Sequence, residues 1–194
     1  MAEHVCPPWI GYFPLNPLRK LVENPNKIFG PFVREGMVVL EPGCAMGFFT
    51  LPLARMVGPT GRVIALEIQD KMLSVLARRA EKAGLLDRIE LRCISANSYD
   101  LDDLSGRVDF AAAIHVVHEV PNKALLFTEI WKALRPGGSL LVVEPKGHVS
   151  QGAFEKTVAI ALKAGFTPKA LPKKIGGRSA SLIKKMGSTE KQPS

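Results

Sequence analysis

Cysteine is scarce in this chain. The three cysteines of the 194 residues lie far apart and form no Cys-x-x-Cys pair, so neither a disulfide framework nor a standard zinc knuckle is predicted. We expect buried or simply free thiols. Convergence of Cys6, Cys44 and Cys93 around a soft metalloid substrate stays open, because sequence spacing does not exclude it.

Long apolar runs are also missing. No stretch stays apolar for about 18 residues, so the sequence predicts no membrane span. The start, MAEHVCPPWIGYF, places Glu3 and two prolines where a secretory signal has a cationic end and then an apolar run. The hydrophobic content of 46% still supplies one core of ordinary size. We therefore expect a cytoplasmic protein with a single domain.

Acidic residues are nearly absent from the C-terminal region. From Lys163 onward there are eight basic residues against one acid, Glu190. A basic surface of this kind attracts anionic partners, with nucleic acid as the extreme case. We favour a solvated, solubilising face, because no aromatic residue except Phe166 lies among these charges. Binding of RNA stays open as an alternative.

Residues 1–32 lack the periodicity of a regular element. Six of the fifteen prolines lie between Cys6 and Pro31, among the bulky side chains of Trp9, Tyr12, Phe13 and Phe29. We expect an ordered arm or lid over residues 1–32, a folded domain over residues 33–186 and a flexible tail over residues 187–194. The aromatic arm is a natural cover for an apolar substrate, although plain packing explains it equally well.

From Met37 onward, short apolar runs alternate with segments of helical periodicity, which is the pattern of βαβ units. The predicted strands are Met37 to Glu41, Arg62 to Ile68, Ile89 to Ser95, Val108 to Val116 and Ser139 to Glu144. The predicted helices are Phe48 to Val57, Lys71 to Ala83, Lys123 to Leu134 and Gln151 to Ala164, with a short one near Leu101. The segments GPTG and RPGG are predicted to be turns. Two β-prone runs, 166–171 and 179–185, are expected to form an antiparallel hairpin at one edge.

These elements predict an α/β fold with a doubly wound, seven-stranded, mostly parallel sheet and a C-terminal antiparallel hairpin. Right-handed crossovers place a switch point between the first and fourth strands. A ligand crevice is expected at that point.

The segment VVLEPGCAMGFFT carries the strongest local signal. A buried strand ends at Glu41, a helix begins near Phe48, and the turn between them contains Gly43, Ala45 and Gly47. Small residues there let backbone N–H groups approach a ligand beside the positive end of a helix. The pattern GxGxxG of dinucleotide sites is missing, because Phe48 stands where its third glycine would fall. A bound pyrophosphate is therefore disfavoured.

Glu67 is the second signal, near the end of the second predicted strand in RVIALEIQD. It lies at the same sheet edge as Glu41. A carboxylate there can accept both hydroxyl hydrogens of a ribose. The combination with the small-residue turn favours a nucleoside site over a solvated acid at a strand end.

Together, EPGCAMG, Glu67, HVVHEV and LRPGGSLLVVEP resemble the class I S-adenosylmethionine methyltransferases. The resemblance covers about Val33 to Glu144 and is strongest to the small-molecule branch that includes the ubiquinone-biosynthesis type. It implies S-adenosylmethionine as cofactor and a small molecule as methyl acceptor. It also implies that Glu67 holds the ribose and Ile68 an edge of the adenine, and that the methionine part is bound by Glu41, Gly43, Cys44, Ala45 and Gly47.

The chain departs from the family pattern at three places. Ser95 and Ala96 end the third strand where family members usually carry an acid for the adenine amino group. We therefore expect backbone contacts, Asn97 and apolar packing to bind the adenine. Glu41 replaces the commoner aspartate and Ala45 the middle glycine, and each leaves less room for the ligand.

Two histidines are candidates for the chemistry. His115 ends the fourth predicted strand at the switch point, where it would face the methyl group and contact the cofactor; a core position is the alternative. His118 follows, next to Glu119, for which stabilising the start of the next helix is a sufficient role. In-line positioning is enough for a thiol or amine acceptor, whereas a hydroxyl or acidic carbon needs a base, for which His115 or His118 is the candidate. The same rim carries Glu144, Lys146 and His148, as substrate contacts or exposed turn residues.

Three other functions are alternatives to this assignment. An RNA methyltransferase stays open through the basic C-terminal region, although IHVVHEV lacks the Asn-Pro-Pro-Tyr type of loop used for amino groups of nucleic acids. A non-catalytic S-adenosylmethionine-binding protein stays open because the departures fall in the cofactor loop. A nicotinamide-dependent reductase is disfavoured, since both GxGxxG and a Tyr-x-x-x-Lys pair are missing.

Overall fold

The computed structural model describes residues 23–95, 97–172 and 175–186. The strands are β1 (Val38–Pro42), β2 (Arg62–Glu67), β3 (Ile89–Cys93), β4 (Val108–Ile114), β5 (Leu134–Glu144), β6 (Thr167–Lys169) and β7 (Arg178–Ile183). The α-helices are α1 (Pro25–Phe29), α2 (Thr50–Met56), α3 (Asp70–Lys82), α4 (Lys123–Ala133) and α5 (Gln151–Lys163). Short 3₁₀ turns occupy Leu86–Arg88, Asp102–Leu104 and Val117–Glu119.

The strands form one seven-stranded sheet in the order β3-β2-β1-β4-β5-β7-β6. Strands β1 to β5 pair in parallel, and β7 pairs antiparallel with both β5 and β6. The predicted doubly wound sheet with its C-terminal hairpin is confirmed. Because winding changes direction between β1 and β4, the loops after these two strands diverge and leave a ligand position at their carboxyl ends.

The central strands are buried on both faces, as parallel strands covered by helices must be. Successive side chains of a strand point to opposite faces. Val39 of β1 therefore belongs to one core cluster and Leu40 to the other, and both are fully buried. The first cluster packs against α2 and α3, the second against α4 and α5. This two-sided packing holds the carboxyl edge of the sheet in place.

Two predicted boundaries are wrong for identifiable reasons. The RPGG segment was expected to be a turn, but β5 begins at Leu134, and the pairing with β4 shifts register across that segment. Gly137 N donates to Lys184 O at 2.8 Å, which keeps the segment in the sheet. Strand β4 ends at Ile114 because His115 adopts a left-handed backbone with φ 57°.

The short helix α1 was not predicted. The side chain of Asn24 accepts hydrogen bonds from the N–H groups of residues 26 and 27, and Pro25 occupies the first turn, where its missing N–H does no harm. Phe29 is fully buried and packs edge to face on Phe49, with ring centroids 5.6 Å apart. This end of the predicted arm therefore packs into the core.

The remainder of the arm, with Trp9, Tyr12 and Phe13, lies outside the described residues, as does the predicted tail. The boundaries at 32 and 186 stay predictions. Across the described ranges, no helix is both long enough and apolar enough to span a membrane.

Candidate active site

Glu41 is a buried acid at the carboxyl end of β1, with 3% of its surface exposed. Its Oε2 atom has no hydrogen-bond partner among the described residues. Burial, together with the nearby Glu67 carboxylate, raises the pKa of Glu41 to about 8. The Thr50 hydroxyl lowers this pKa, but Thr50 Oγ1 is itself without a hydrogen bond of good geometry in the described chain, so we regard it as a nearby dipole. Glu41 is thus a buried hydrogen-bond acceptor with which a cationic ligand could pair.

The loop after β1 is held by its own backbone. Gly43 N and Cys44 N both donate to Leu66 O, at 2.9 and 3.0 Å, and Gly47 N donates to Cys44 O at 2.9 Å. The N–H groups of Gly43 and Cys44 continue the hydrogen bonding between β1 and β2, and that of Gly47 closes a turn inside the loop. These three N–H groups are already paired within the protein, and ligand binding by the loop stays a prediction.

Glu67 joins this loop to the end of β2. Its Oε2 accepts from Ala45 N at 3.0 Å, and its Oε1 accepts from Ile68 N at 2.9 Å and Gln69 N at 3.1 Å. A carboxylate accepts about four hydrogen bonds, so about one position is left. A ribose diol would need that position and one now used by a backbone N–H. The ribose role of Glu67 stays a prediction.

Gly43 is constrained by another part of the protein. Its φ is +70°, and a Cβ atom there would lie 2.9 Å from Val116 Cβ and closer still to Val116 Cγ2. A larger residue at Gly43 would therefore clash with the loop after β4.

The predicted adenine side lies at the ends of β2 and β3. Ile68 is 41% exposed, which suits a side chain that packs against an apolar part of a bound ligand. Ser95 N donates to Ser98 O at 3.2 Å, and Asn97 is exposed. Ala96 lies outside the described residues. These adenine contacts remain predictions.

His115 lies at the switch point, as predicted. Its backbone N–H donates to Val143 O at 2.7 Å, and its half-buried ring places Nε2 3.2 Å from Glu23 Oε1. Glu23 comes from the segment before α1, which the sequence did not connect with this site. The expected contact of His115 with the cofactor is not tested by this arrangement.

His118 forms a tight pair with Glu144. Its backbone N–H donates to Glu144 Oε1 at 3.1 Å, and its Nδ1 lies 2.5 Å from Glu144 Oε2. The hydrogen bond to this carboxylate raises the pKa of His118, against the opposing effect of burial. Glu144 itself is only 1% exposed, so the reading of Glu144 as an exposed turn residue is wrong.

A family model described as "Methyltransferase domain" matches residues 33–185. The chain belongs to this methyltransferase family. The methyltransferase is 31% identical over 112 residues to the ubiquinone/menaquinone biosynthesis C-methyltransferase UbiE of Enterobacter sp., covering 58% of this chain and 44% of the relative. A Klebsiella pneumoniae protein of that name is 30% identical over the same length and coverage. The chain thus spans less than half the length of these curated relatives.

Solved structures share the fold. An S-adenosylmethionine-dependent methyltransferase from Aquifex aeolicus superposes with a TM-score of 0.78 at 24% identity, covering 92% of this chain and 97% of that one. The [4+2]-cyclase SpnF reaches 0.64 at 22% identity, with 75% and 58% covered. Family, relatives and fold together make the protein a class I methyltransferase with S-adenosylmethionine as its cofactor.

The methyltransferase site fits this cofactor at Glu41. The amino-acid part of S-adenosylmethionine carries an ammonium group, and a buried carboxylate oxygen without a partner is the acceptor that such a cation needs. Ile68 offers exposed apolar surface at the neighbouring strand end.

Convergence of the three cysteines of the methyltransferase around a metalloid stays a prediction, because only two of them belong to the described residues. Cys44 is buried and Cys93 exposed, and both are free. Burial raises the pKa of the Cys44 thiol well above its ordinary value, which keeps it protonated. Cys6 lies outside the described residues. In the part of the chain that is described, no group of three or more His, Cys, Asp or Glu is arranged to hold a metal ion.

Three contributors to the methyltransferase site were missed or underrated from sequence. Arg79 of α3 donates to the carbonyl of Met46 and so braces the cofactor loop. Glu23 meets His115, and Glu144 holds His118. Glu144 carried a usable signal, since it ends a buried strand as Glu41 and Glu67 do. The other two have no local signal.

Proposed function

We propose that the enzyme methylates a small-molecule acceptor at the carboxyl edge between β1 and β4. S-adenosylmethionine supplies a methyl group already activated on a sulfonium. Glu41 would hold its amino group, Glu67 its ribose and Ile68 an edge of its adenine. The observation that carries this assignment is the buried, unpartnered Oε2 of Glu41.

The charges around the acceptor side support a small molecule over a nucleic acid. Glu23, Glu119 and Glu144 surround the two histidines of the site. Lys123 Nζ donates to the carbonyl of residue 120 at 3.1 Å. The negative charges of Glu23 and Glu119 disfavour a polyanion beside the two histidines. The curated relatives are named as C-methyltransferases of ubiquinone and menaquinone biosynthesis, which supports a small organic acceptor. The cytoplasmic location predicted from the sequence is part of this proposal.

Binding calorimetry with S-adenosylhomocysteine tests the cofactor site. We expect saturable binding of one molecule per chain and no heat from a nicotinamide dinucleotide at the same concentration. Transfer of labelled methyl groups from S-adenosylmethionine to hydroxyl, thiol and amine acceptors then tests the small-molecule class. Label found only in RNA would contradict it.

Replacing Glu67 by alanine should weaken binding of S-adenosylhomocysteine by about 1.5–3 kcal/mol, the usual scale for hydrogen bonds to a charged group. Adenosine should show a similar loss, because the ribose contact is predicted to lie at Glu67. The exposed acid Glu81 on α3 provides the control, and Glu81→Ala should bind like the wild type. Unchanged binding of adenosine to Glu67→Ala would contradict the ribose role.

Two basic residues of the C-terminal region make hydrogen bonds within the fold. Lys184 Nζ donates to Trp131 O at 2.9 Å and Leu134 O at 2.7 Å, and it lies 4.1 Å from the centroid of the Trp131 ring. Arg178 Nε donates to Val149 O at 2.7 Å. These two cations therefore serve internal contacts.

We expect no retardation of unfractionated tRNA by the protein in a gel-shift assay at physiological salt. Phosphate contacts weaken steeply as salt rises, so a salt series separates specific from electrostatic binding. Tight binding with a steep salt dependence, together with methylation of the tRNA, would establish the RNA alternative instead.

A further inference from the structure

The cofactor contacts proposed above do not include the pair formed by His118 and Glu144. Glu144 ends β5 and has 1% of its surface exposed, whereas the side chain of His118 is 24% exposed. A buried carboxylate opposes folding unless hydrogen bonds satisfy it. Here the backbone N–H and the ring of His118 satisfy both oxygens.

This contact determines which ring nitrogen is free. Because the carboxylate accepts at Nδ1, the proton of a neutral His118 ring resides on Nδ1, and Nε2 presents its lone pair. Glu119 Oε1 lies 3.8 Å from Nε2, which is beyond hydrogen-bond distance. Within the described ranges, no hydrogen bond is made to Nε2.

The pair adjoins the predicted cofactor loop. His118 lies two residues after Val116, the side chain that a Cβ on Gly43 would strike. Burial raises the pKa of Glu119, next to His118, and the charge of Glu67 raises it further. His118 is therefore part of the same loop after β4 that packs against Gly43 of the predicted cofactor loop.

We propose that His118 is the general base of this enzyme, with Glu144 as its positioning residue, and that the acceptor carries a weakly acidic hydroxyl of the phenol or enol type. His118 Nε2 takes the hydroxyl proton: the O–H bond breaks, an N–H bond forms, and the electron pair stays on the acceptor. That pair makes the oxygen, or a ring carbon conjugated to it, nucleophilic. After methylation at oxygen, solvent takes the proton from His118. After methylation at carbon, that carbon releases its hydrogen to solvent as a proton, and the oxygen regains the proton held by His118. This inference rests on the proposed function.

The base strength of His118 suits this acceptor class. A phenol has an ordinary pKa of about 10, so a histidine with a raised pKa takes its proton more readily than an ordinary one. Four groups from three parts of the fold face the ring. Glu144 and Glu119 favour the imidazolium, Lys123 at the start of α4 opposes it, and the His148 ring lies 6.2 Å away by centroids. An amine with a free lone pair needs no such base.

A titration of the protein without cofactor tests the pair directly. Nuclear magnetic resonance of the histidine ring, assigned with His118→Gln, should give a pKa for His118 above its ordinary value and protonation of the neutral ring at Nδ1. Glu144→Gln, which keeps the shape but removes the charge, should lower that pKa strongly, and Glu119→Gln should lower it less. Protonation at Nε2, or a pKa insensitive to Glu144→Gln in a folded protein, would refute the pairing.

Two phenols test the base. With S-adenosylhomocysteine bound, 4-nitrophenol should show more phenolate absorbance in the wild type than in His118→Gln, at a pH where the free probe is mainly neutral. Transfer to unsubstituted phenol should fall by about 10²–10⁴-fold in His118→Gln. Transfer to 4-nitrophenol at a pH where it is fully ionised should stay within about threefold, since general-base removal of its proton is no longer required. The exposed acid Glu155 provides the control variant, Glu155→Gln, which should behave like the wild type.

The outcomes separate the two proposals. Failure to bind S-adenosylhomocysteine removes the proposed function, and this inference with it. Binding of S-adenosylhomocysteine with equal phenolate signals in wild type and His118→Gln, or equal rate losses for both phenols, overturns the base alone. Binding with no methylation of either phenol while a thiol or amine is methylated overturns the hydroxyl class.

Discussion

Binding of S-adenosylhomocysteine should weaken by about 2–5 kcal/mol when Glu41 is replaced by glutamine, the scale for losing one partner of a buried charge pair. The ammonium group of the ligand would then meet an amide in place of a carboxylate. Calorimetry measures this loss directly. The exposed Glu35→Gln should bind like the wild type, and so should Glu41→Gln if the ligand amino group is held elsewhere.

The same residue should make binding depend on pH. With a pKa of about 8, Glu41 of the free protein is mostly protonated at pH 7. Pairing with an ammonium group favours the carboxylate, so binding releases a proton. Affinity should therefore rise as pH increases towards about 8 and fall again at the higher pH at which the ligand ammonium group loses its proton. Calorimetry at pH 7 in buffers of different ionisation enthalpy reports the release, which should vanish in Glu41→Gln.

Burial of Glu41 also predicts the direction in which the stability of the fold changes with pH. The pKa of Glu41 is raised from 4.5 to about 8 on folding, so the charged form is disfavoured in the native state. The loss of stability begins above pH 4.5 and is complete above pH 8. Glu41→Gln should consequently melt at a higher temperature than the wild type at pH 9 and near the same temperature at pH 4. A lower melting temperature at pH 9 would contradict the burial argument.

Replacing Gly43 by alanine should destabilise the fold by about 2–5 kcal/mol. The left-handed backbone contributes about 1–2 kcal/mol and the overlap with Val116 about 1–3 kcal/mol. For a chain of this size, thermal unfolding should shift down by about 4–20 °C. Affinity for S-adenosylhomocysteine should fall as well, because the displaced loop carries the cofactor site.

Gly84 provides the matched control for Gly43. Its φ is +64°, but a Cβ there would meet nothing within 4 Å, so Gly84→Ala isolates the backbone strain. The additional loss of stability in Gly43→Ala, compared with Gly84→Ala, is then due to the contact with Val116. Val116→Ala should recover part of that loss in the double variant, with a coupling of about 0.5–3 kcal/mol. Equal losses at both glycines, or strict additivity with Val116→Ala, would refute the contact.

Much of the fold could be predicted from sequence because its signals are local. Short apolar runs alternating with amphipathic helices specify parallel βαβ units, and right-handed crossovers then limit the strand order. The turn after β1 and the acid Glu67 could be identified in the same way. They follow strands whose carboxyl ends must lie at one edge of the sheet.

The contacts that arrange the site depended on the tertiary structure. His118 and Glu144 are 26 residues apart, and Arg79 and Met46 are 33 apart. Neither pairing has a local signal, because each depends on which strand or helix packs beside which loop. Burial likewise distinguishes Glu144 from a solvated acid.

By itself, the sequence determined the α/β architecture, the cofactor-type loop after β1 and the strand ends at which the acids lie. Only the tertiary structure decided three features of the site. The N–H groups of Gly43, Cys44 and Gly47 are paired within the protein, the side chain of Val116 leaves no room for a Cβ atom at Gly43, and Glu144 orients His118. The physical reason is range: periodicity and turn chemistry act within a few residues, whereas hydrogen bonds between side chains of different loops require the strand register and packing of the completed fold.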